Sequence, residues 1–150
     1  MEMRQGVAAD AAAIRDLTRA AYAKWVPLIG REPRPMTADY AAAMRTHRFD
    51  LIHDNGTLVA LIETAAEPDH LLIVNVAVLP SHQRRGLGHR LLAHAEKLAR
   101  AARYAELRLY TNKAFAENIR LYASIGYAFD HEDAYPGGAI VHMRKALPRS

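Results

Sequence analysis

The sequence predicts an α/β fold in which a mixed β-sheet carries helices on both faces. An almost entirely apolar run from Leu71 to Leu79 is typical of a strand covered on both sides. This run is followed by a segment with helical periodicity and then by a second strand-like run, Glu106 to Tyr110. A strand, a helix and a strand in this order indicate that the two strands are parallel. Strand pairs around Asn55-Gly56 and around Pro136-Gly137-Gly138 indicate antiparallel hairpins in the same sheet.

The first third of the chain predicts a strand, then two helices joined by a proline-rich loop. Residues Ala8 to Lys24 form the first helix, because apolar side chains recur three and four residues apart (Ile14, Leu17, Ala21 and Tyr22). Residues 25–36 contain Gly30 and several prolines, which exclude a regular helix or a central strand, so we expect an ordered loop. A short second helix is expected from about Thr37 to Thr46.

The remaining elements follow from periodicity and turn residues. Strands are expected at Phe49–His53 and Leu58–Thr64, before the central strand. A long helix runs from the glycines after that strand to about Arg103, with apolar residues at helical spacing (Leu87, Leu91, Ala95, Leu98 and Ala102). A last helix is indicated by apolar residues three and four positions apart (Phe115, Ile119 and Tyr122), and Gly126 ends it.

The composition indicates one soluble globular domain spanning residues 1–150. The chain is 51% hydrophobic and 24% charged, and no window reaches the roughly 18 apolar residues that a membrane helix needs. Charged residues near the N-terminus interrupt any apolar signal-peptide centre. The absence of cysteine excludes disulfides and thiol catalysis, and it fits a reducing compartment. We therefore expect a cytoplasmic protein without a membrane partner.

A basic segment surrounds two glycines at the start of the helix after the central strand. The net charge is only +4, but residues 84–108 hold seven basic residues against Glu96 and Glu106. Such charges are typical of a solvated helix face and also of a field that attracts a polyanionic ligand. Peptide N–H groups at a helix start favour an anion, and glycines let it approach the backbone. The run Gln83–Gly88 therefore predicts a diphosphate site.

Two common phosphate-binding motifs do not fit the run Gln83–Gly88. A Walker loop ends in Gly-Lys-Ser or Gly-Lys-Thr, whereas His89 and Arg90 follow the second glycine here. A dinucleotide-binding fingerprint requires a third glycine where Leu91 stands. A nucleotide hydrolase and a Rossmann-type enzyme are therefore disfavoured.

Gln83–Gly88, preceded by Val76–Pro80, closely resembles the acyl-CoA signature of the GNAT (Gcn5-related) N-acetyltransferases. The segment Glu117–Tyr127 is similar to the downstream helix motif of that family, in which a Tyr precedes a Gly-aromatic pair by four residues. The resemblance covers residues 50–145 well and residues 1–48 in outline. It implies a GNAT-like acyl-CoA N-acyltransferase fold and acetyl transfer from acetyl-CoA to an amine of a small molecule or peptide. Dimers are common among relatives, so a homodimer is left open.

The resemblance implies a cofactor site built largely from main-chain groups. The N–H groups of residues 84–89 would hold the diphosphate, and the backbone of Val76–Val78 would pair with the pantetheine arm where the central strand parts from its parallel neighbour. Asn118 would contact the cofactor, although a polar residue near a helix start explains it almost equally well. The full set implied for acetyl-CoA is Val76, Ala77, Val78, Gln83, Arg84, Arg85, Gly86, Leu87, Gly88, His89, Asn118 and Tyr122.

The resemblance also implies that Tyr122 meets the leaving thiolate as an acid or hydrogen-bond donor. An ordinary tyrosine has a pKa near 10 and a thiol near 8.5, so full proton transfer would cost roughly 2 kcal/mol. Many relatives carry a general-base Glu where this sequence has Leu109 and Tyr110, so that assignment is not carried over. Glu63 and His70 are the substitute candidates for the general base, and each would act through water. For both, an ordinary role as a surface charge or strand-end residue is also open.

The acceptor pocket is expected near the proline-rich loop, because loops on a rigid scaffold commonly carry specificity. Trp25, Met36 and Tyr40 are its expected lining, and apolar packing between the first two helices explains the same residues. The histidines show no HExxH or paired ligand spacing, and Asp130–Asp133 is typical of an exposed strand end. We therefore expect no metal ion.

Three functions remain open from the sequence. The leading hypothesis is an acetyl-CoA-dependent N-acetyltransferase. The second is a catalytically silent CoA-binding sensor domain, and the third is a nucleic-acid-binding module that uses the basic segment. The third ranks last, because the segment lacks interleaved aromatic residues and the net charge is small. We therefore expect no nucleic-acid partner.

Overall fold

Seven strands form one mixed sheet, in the order β1-β2-β3-β4-β5-β7-β6, in the computed structural model, which describes residues 1–148. The strands are β1 (Glu2–Gln5), β2 (Arg48–Asp54), β3 (Thr57–Ala66), β4 (Leu71–Val78), β5 (Glu106–Asn112), β6 (Ala128–Tyr135) and β7 (Gly138–Ala146). Neighbouring strands are antiparallel except β4 and β5, which are parallel. The predicted parallel pair and both predicted hairpins are confirmed.

Within the described residues, six α-helices flank the sheet: α1 (Ala11–Tyr22), α2 (Val26–Ile29), α3 (Arg34–Thr37), α4 (Tyr40–Ala43), α5 (Leu87–Ala101) and α6 (Ala116–Ser124). Ile14 of α1 shares a buried cluster with Leu51, and Leu91 of α5 shares another with Ile52. Because Leu51 and Ile52 are consecutive in β2, they point to opposite faces, so α1 and α5 cover opposite faces of the sheet. The predicted fold class is confirmed. No helix in residues 1–148 combines the length and apolar character that crossing a membrane requires.

The region between α1 and β2 is more helical than the sequence predicted. The expected loop at residues 25–36 contains α2, which tolerates Pro27 because a proline in the first turn lacks only an N–H that has no helical partner. The expected single helix from Thr37 to Thr46 is divided into α3 and α4. The division arises because Ala38 is extended and the Asp39 carboxylate caps the start of α4.

β4 and β5 pair over only a short stretch before they separate. Leu71–Ile73 pair with Leu107–Leu109, whereas β4 stays paired with β3 as far as Val78. Val74 is an extra residue between two consecutive partners in β3, so β4 carries a bulge at the point of separation. The rest of β4 therefore presents one edge to a gap in the sheet.

Replacing Leu91 by alanine should lower the free energy of unfolding by about 2–5 kcal/mol, because this fully buried side chain would leave a cavity between α5 and the sheet. Leu28→Ala is the matched control, since Leu28 is exposed on α2 and should change stability by about 0.5 kcal/mol or less. Urea unfolding followed by circular dichroism measures both. Equal effects of the two substitutions would contradict the position of α5 in the core.

Candidate active site

The gap between β4 and β5 opens into a cavity of about 560 Å³, and a groove of about 240 Å³ extends beside it along the end of β4 to the start of α5. The walls of the cavity come from the region of α2 and α3, from β4, β5 and α6, and from the β6–β7 hairpin. Four residues line both spaces: Tyr22, Val76, Asn118 and Tyr122. The cavity and the groove therefore meet at these residues and form one continuous channel.

The start of α5 forms one end of the groove. The Arg90 N–H donates to the Gly86 carbonyl (3.0 Å) in the first turn, so the N–H groups of residues 87–89 have no carbonyl partner within the helix. Gly86 has φ 81°, and a Cβ placed there would meet no atom within 4 Å, so the space above it is open. The first turn of α5, which lies wholly within the described residues, contains no acidic side chain. The positive end of the helix dipole therefore faces open space.

The exposed edge of β4 forms the middle of the channel. The Tyr22 hydroxyl lies 3.4 Å from the Val76 carbonyl, and the Gln83 side-chain amide donates to the Val78 carbonyl (3.1 Å). Both carbonyls therefore point away from β3. Because the N–H and C=O groups of one strand residue point to the same side, the N–H groups of Val76 and Val78 also face the channel. An extended ligand can pair with this edge as an added strand does.

Tyr122 places a phenol at the junction of the cavity and the groove. Its side chain is buried, and its ring meets that of Tyr127 edge to face, with 6.1 Å between the centroids. Burial raises the pKa of Tyr122 to about 12, so the hydroxyl stays protonated at neutral pH and can donate a hydrogen bond. Gly126, with φ 103°, then turns the chain after the end of α6.

The structure brings the residues predicted for the cofactor together. All of them except Arg85 line the groove: Val76, Ala77, Val78, Gln83, Arg84, Gly86, Leu87, Gly88, His89, Asn118 and Tyr122. Trp25, which was expected in the acceptor pocket, also lines the groove and stacks on Phe115 with 4.5 Å between ring centroids. Trp25 therefore lies on the α5 side of the channel and touches the cavity through Phe115, and its role toward an acceptor stays a prediction.

A polar bridge crosses the groove. The Lys24 ammonium lies 3.3 Å from the Glu117 carboxylate and donates to the side-chain carbonyl of Gln83, also at 3.3 Å. The Lys24 and Glu117 side chains are 42% and 56% exposed, so the pair adds little stability and can rearrange.

A buried polar network beside the cavity was missed by the sequence analysis. Asn75 accepts a hydrogen bond from the Tyr22 hydroxyl (2.8 Å), and its amide nitrogen lies 3.4 Å from the hydroxyls of Thr18 and Tyr40. Tyr40 in turn donates to the Pro35 carbonyl (2.5 Å). The network holds Tyr22 where the cavity meets the groove. Its signal in the sequence was Asn75 itself, the one polar residue in the apolar run of β4.

The loop between α2 and α3 contributes other side chains to the cavity than the sequence predicted. Arg31 and Arg34 line the cavity, whereas Met36 and Tyr40 are buried in the core, where they are about 5% and 4% exposed. This corrects the expected lining. The physical reason is that a thioether and an aromatic ring gain free energy from burial, while an unpaired guanidinium must remain near solvent.

Glu63 and His70, the two proposed bases, are held by neighbouring side chains. Glu63 is buried, and its Oε2 lies 2.6 Å from Nδ1 of His47. Burial raises the pKa of Glu63, and the contact with His47 opposes that shift. His70 lies just before β4, with Nδ1 2.6 Å from Oδ1 of Asp69. Within residues 1–148 neither side chain lines the cavity or the groove, so a catalytic role for either stays a prediction.

Comparison with known proteins identifies the class of protein to which this fold and channel belong. Residues 12–127 match the model of the acetyltransferase (GNAT) family. Because the match covers more than half of the chain, the chain belongs to the GNAT acetyltransferase family. The family recognised from Gln83–Gly88 and Glu117–Tyr127 is thereby confirmed.

Individual proteins resemble this chain over different lengths. The ribosomal protein bS18-alanine N-acetyltransferase of Escherichia coli (strain K12) is 36% identical over 73 residues, which are 49% of each chain. The chain thus spans about half the length of the curated relatives it matches. The crystal structure of the ribosomal-protein-S18-alanine N-acetyltransferase from Escherichia coli has a TM-score of 0.81 at 22% identity and covers 99% of this chain and 95% of its own. The PaiA N-acetyltransferase of Thermoplasma acidophilum, in complex with coenzyme A, has a TM-score of 0.81 at 17% identity, covering 98% and 100%.

When both proteins are folded, Tyr122→Phe and the original chain should develop the same phenolate absorbance between neutral pH and about pH 11. The reason is that a phenol with a pKa of about 12 is still largely protonated at pH 11. In denaturant the same substitution should remove one-seventh of the tyrosine signal, since the chain has seven tyrosines. Ultraviolet difference titration of the folded and unfolded proteins measures both values. Loss of signal in the folded variant below about pH 11 would contradict the burial of the Tyr122 hydroxyl.

Proposed function

We propose that this chain is an acetyl-CoA-dependent N-acetyltransferase, formed as one domain, that transfers the acetyl group by direct attack of an amine. The observation that carries the proposal is the continuous channel in which the start of α5, the open edge of β4 and Tyr122 follow one another. A diphosphate needs the N–H groups at the start of α5, an extended amide-containing arm needs the open edge of β4, and a thioester needs a donor such as Tyr122. Membership of the GNAT acetyltransferase family supports the same conclusion.

Acetyl-CoA is the proposed cosubstrate, held mainly by the backbone. Its diphosphate would accept hydrogen bonds from the N–H groups of residues 84–89, and its pantetheine arm would pair with Val76 and Val78. An N–H group of the same edge would face the thioester oxygen, a type of contact worth about 3–4 kcal/mol in other enzymes. The similarly folded PaiA N-acetyltransferase was crystallised in complex with coenzyme A, which supports this choice of ligand.

In the proposed reaction a neutral amine attacks the thioester carbonyl carbon, a C–N bond forms, the C–S bond breaks and the thiolate leaves. Tyr122 donates a hydrogen bond to that thiolate. Full proton transfer is disfavoured, because the pKa of Tyr122 is about 12 and that of an ordinary thiol about 8.5, a difference of roughly 5 kcal/mol. We therefore infer that Tyr122 stabilises the thiolate, which takes up the proton released by the amine through water.

Glu63 is our proposed carrier of this proton: it accepts the proton from the amine through water and returns it through water to the thiolate. It is the partner of Asn75 across β3 and β4, and Asn75 lines the cavity. Burial raises the pKa of Tyr110, another cavity residue, and the Glu63 carboxylate raises it further. His47 would hold the carboxylate in position by its contact of 2.6 Å.

The acceptor is proposed to be an amine of a small molecule or a peptide. The Escherichia coli relative is named for an alanine of ribosomal protein bS18, which makes peptide N-termini one class to test. Arg31 and Arg34 line the cavity and favour acceptors that carry a carboxylate beside the amine. A cytoplasmic location and a homodimer stay predictions.

Release of free thiol from acetyl-CoA, measured with polyamines, amino acids, aminoglycosides and peptide N-termini, tests the proposed function. Thiol release is expected with at least one amine, and mass spectrometry should show a product that has gained one acetyl group. A higher melting temperature with acetyl-CoA but no thiol release with any amine would instead support the sensor domain. Steeply salt-dependent binding of oligonucleotides without binding of acetyl-CoA would support the nucleic-acid module.

Tyr122→Phe should lower turnover with the best amine by about 10- to 100-fold, more than it lowers the affinity for acetyl-CoA, because a hydrogen bond to a charged group contributes about 1.5–3 kcal/mol. Tyr104→Phe is the matched control, since its hydroxyl donates to the Glu67 carbonyl (2.8 Å) and does not line the channel among residues 1–148. Thiol-release kinetics and calorimetry measure the two quantities. Unchanged turnover in Tyr122→Phe would remove this residue from the mechanism.

Gly86→Ala should weaken binding of acetyl-CoA, because a residue with a Cβ is strained by about 1–2 kcal/mol at φ 81° and would shift the N–H groups around it. Gly56→Ala is the control, since Gly56 also has φ 81° and open space around it but lies in the β2–β3 turn. Both variants should lose similar stability. Calorimetric titration with acetyl-CoA that gave the same affinity for both would be inconsistent with a diphosphate site at α5.

A further inference from the structure

We propose that His131, Asp133 and His142 bind one divalent transition-metal ion at the rim of the cavity. Their ligand atoms lie within 4.8 Å of one another, and the residues come from both strands of the β6–β7 hairpin. Sequence spacing concealed the cluster, because His131 and His142 are distant in sequence and become neighbours only through the strand register, which pairs them directly. The expectation of no metal ion rested on that spacing, and this proposal replaces it.

The geometry of the three side chains is close to that of a metal site. Asp133 lies two residues after His131 in β6, so both side chains are on one face of the hairpin. Oδ2 of Asp133 is 2.9 Å from Nε2 of His142 and 3.8 Å from Nε2 of His131. A tetrahedral ion about 2.1 Å from each ligand needs ligand atoms roughly 3.4 Å apart. The His131 ring must also rotate out of its stack on His142, because the in-plane lone pairs of two parallel rings cannot point at one ion. The exposure of the His131 and Asp133 side chains, 54% and 68%, leaves room for this rotation.

A second carboxylate orients His131 for such a role. Oδ2 of Asp130 lies 2.8 Å from Nδ1 of His131, so this nitrogen carries the proton and donates it to the carboxylate. Nε2, the nitrogen that faces Asp133, is then left as the metal ligand. Histidine ligands of metal ions almost always donate their other ring N–H to a carboxylate, carbonyl or water. The contact between Asp130 and His131 therefore supports a metal site independently of the ligand distances.

The charges of the cluster favour one shared cation. The His131 and His142 rings are stacked, with 4.1 Å between centroids and 9° between planes, so two protonated rings would repel each other. Among residues 1–148, the Asp133 carboxylate pairs with these two imidazoles. Two imidazoles and one carboxylate suit Zn²⁺, Co²⁺ or Ni²⁺ rather than Mg²⁺ or Ca²⁺. Because Asp133 and His142 also line the cavity, the remaining coordination positions would face it.

Calorimetric titration of Zn²⁺ into the full-length chain, without an affinity tag and stripped with a chelator, tests the site. One Zn²⁺ per chain is expected, and Co²⁺ should give visible absorption bands. His131→Gln and Asp133→Asn should each lower the affinity by at least about 10-fold, and Asp130→Asn by about 10- to 100-fold. His70→Gln is the matched control, since it removes an imidazole beside another carboxylate, that of Asp69 at 2.6 Å, and should leave the affinity unchanged.

Absence of stoichiometric binding, or an affinity that none of the three hairpin substitutions lowers, would overturn the proposal. Equal affinity for Mg²⁺ would also overturn it, because Mg²⁺ prefers an all-oxygen site. The side chains of His131 and Asp133 are exposed, so their substitution should leave the fold intact, and circular dichroism of each variant checks this. The experiment measures the ion itself, so its result is independent of whether the chain transfers acetyl groups.

Discussion

The separation of β4 from β5 is the constraint on which the rest of the site depends. A parallel pair that continued to Val78 would satisfy the backbone groups of β4 within the sheet and leave no edge for a ligand. The bulge at Val74 lies where the pairing ends, and a bulge bends a strand and increases its twist. Beyond the bulge, the Val78 carbonyl accepts a hydrogen bond from Gln83 and the Val76 carbonyl lies 3.4 Å from the Tyr22 hydroxyl, so side chains approach the edge without closing it.

The channel combines two kinds of main-chain donor with one buried phenol. The N–H groups at the start of α5 and along β4 are held by the helix and the strand before any ligand arrives, so binding requires little ordering of side chains. Tyr122 differs, because its burial keeps the phenol neutral and makes it a donor rather than an acid. The half of the channel beside α5 therefore depends on the backbone conformation around Gly86 more than on particular side chains.

The groove could be predicted from the sequence, and the cavity wall could not. Glycine spacing and helical periodicity are local, so Gln83–Gly88 and the helix after it can be recognised from neighbouring residues. The cavity wall depends on strand register and packing between distant segments. Met36 was expected there and is buried, whereas Arg34 lines the cavity. Asn75 was visible as a polar residue in an apolar strand, but its partner Tyr22 is defined only when α1 packs on the sheet.

The cavity, where we propose that the acceptor binds, is made rigid by a different means from the α5 side of the channel. Pro33 and Pro35 line the cavity in the segment that also supplies Arg31 and Arg34, and their fixed φ angles reduce the conformational entropy that the loop loses on binding. The Pro35 carbonyl accepts a hydrogen bond from Tyr40, which also lies within hydrogen-bond distance of the Asn75 amide. The loop is thus tied to the polar network that positions the junction of cavity and groove. Under the proposed function, substitutions of the two arginines should change which amine is accepted. A change that moved Pro35 would also reach the junction of cavity and groove, through Tyr40 and Asn75.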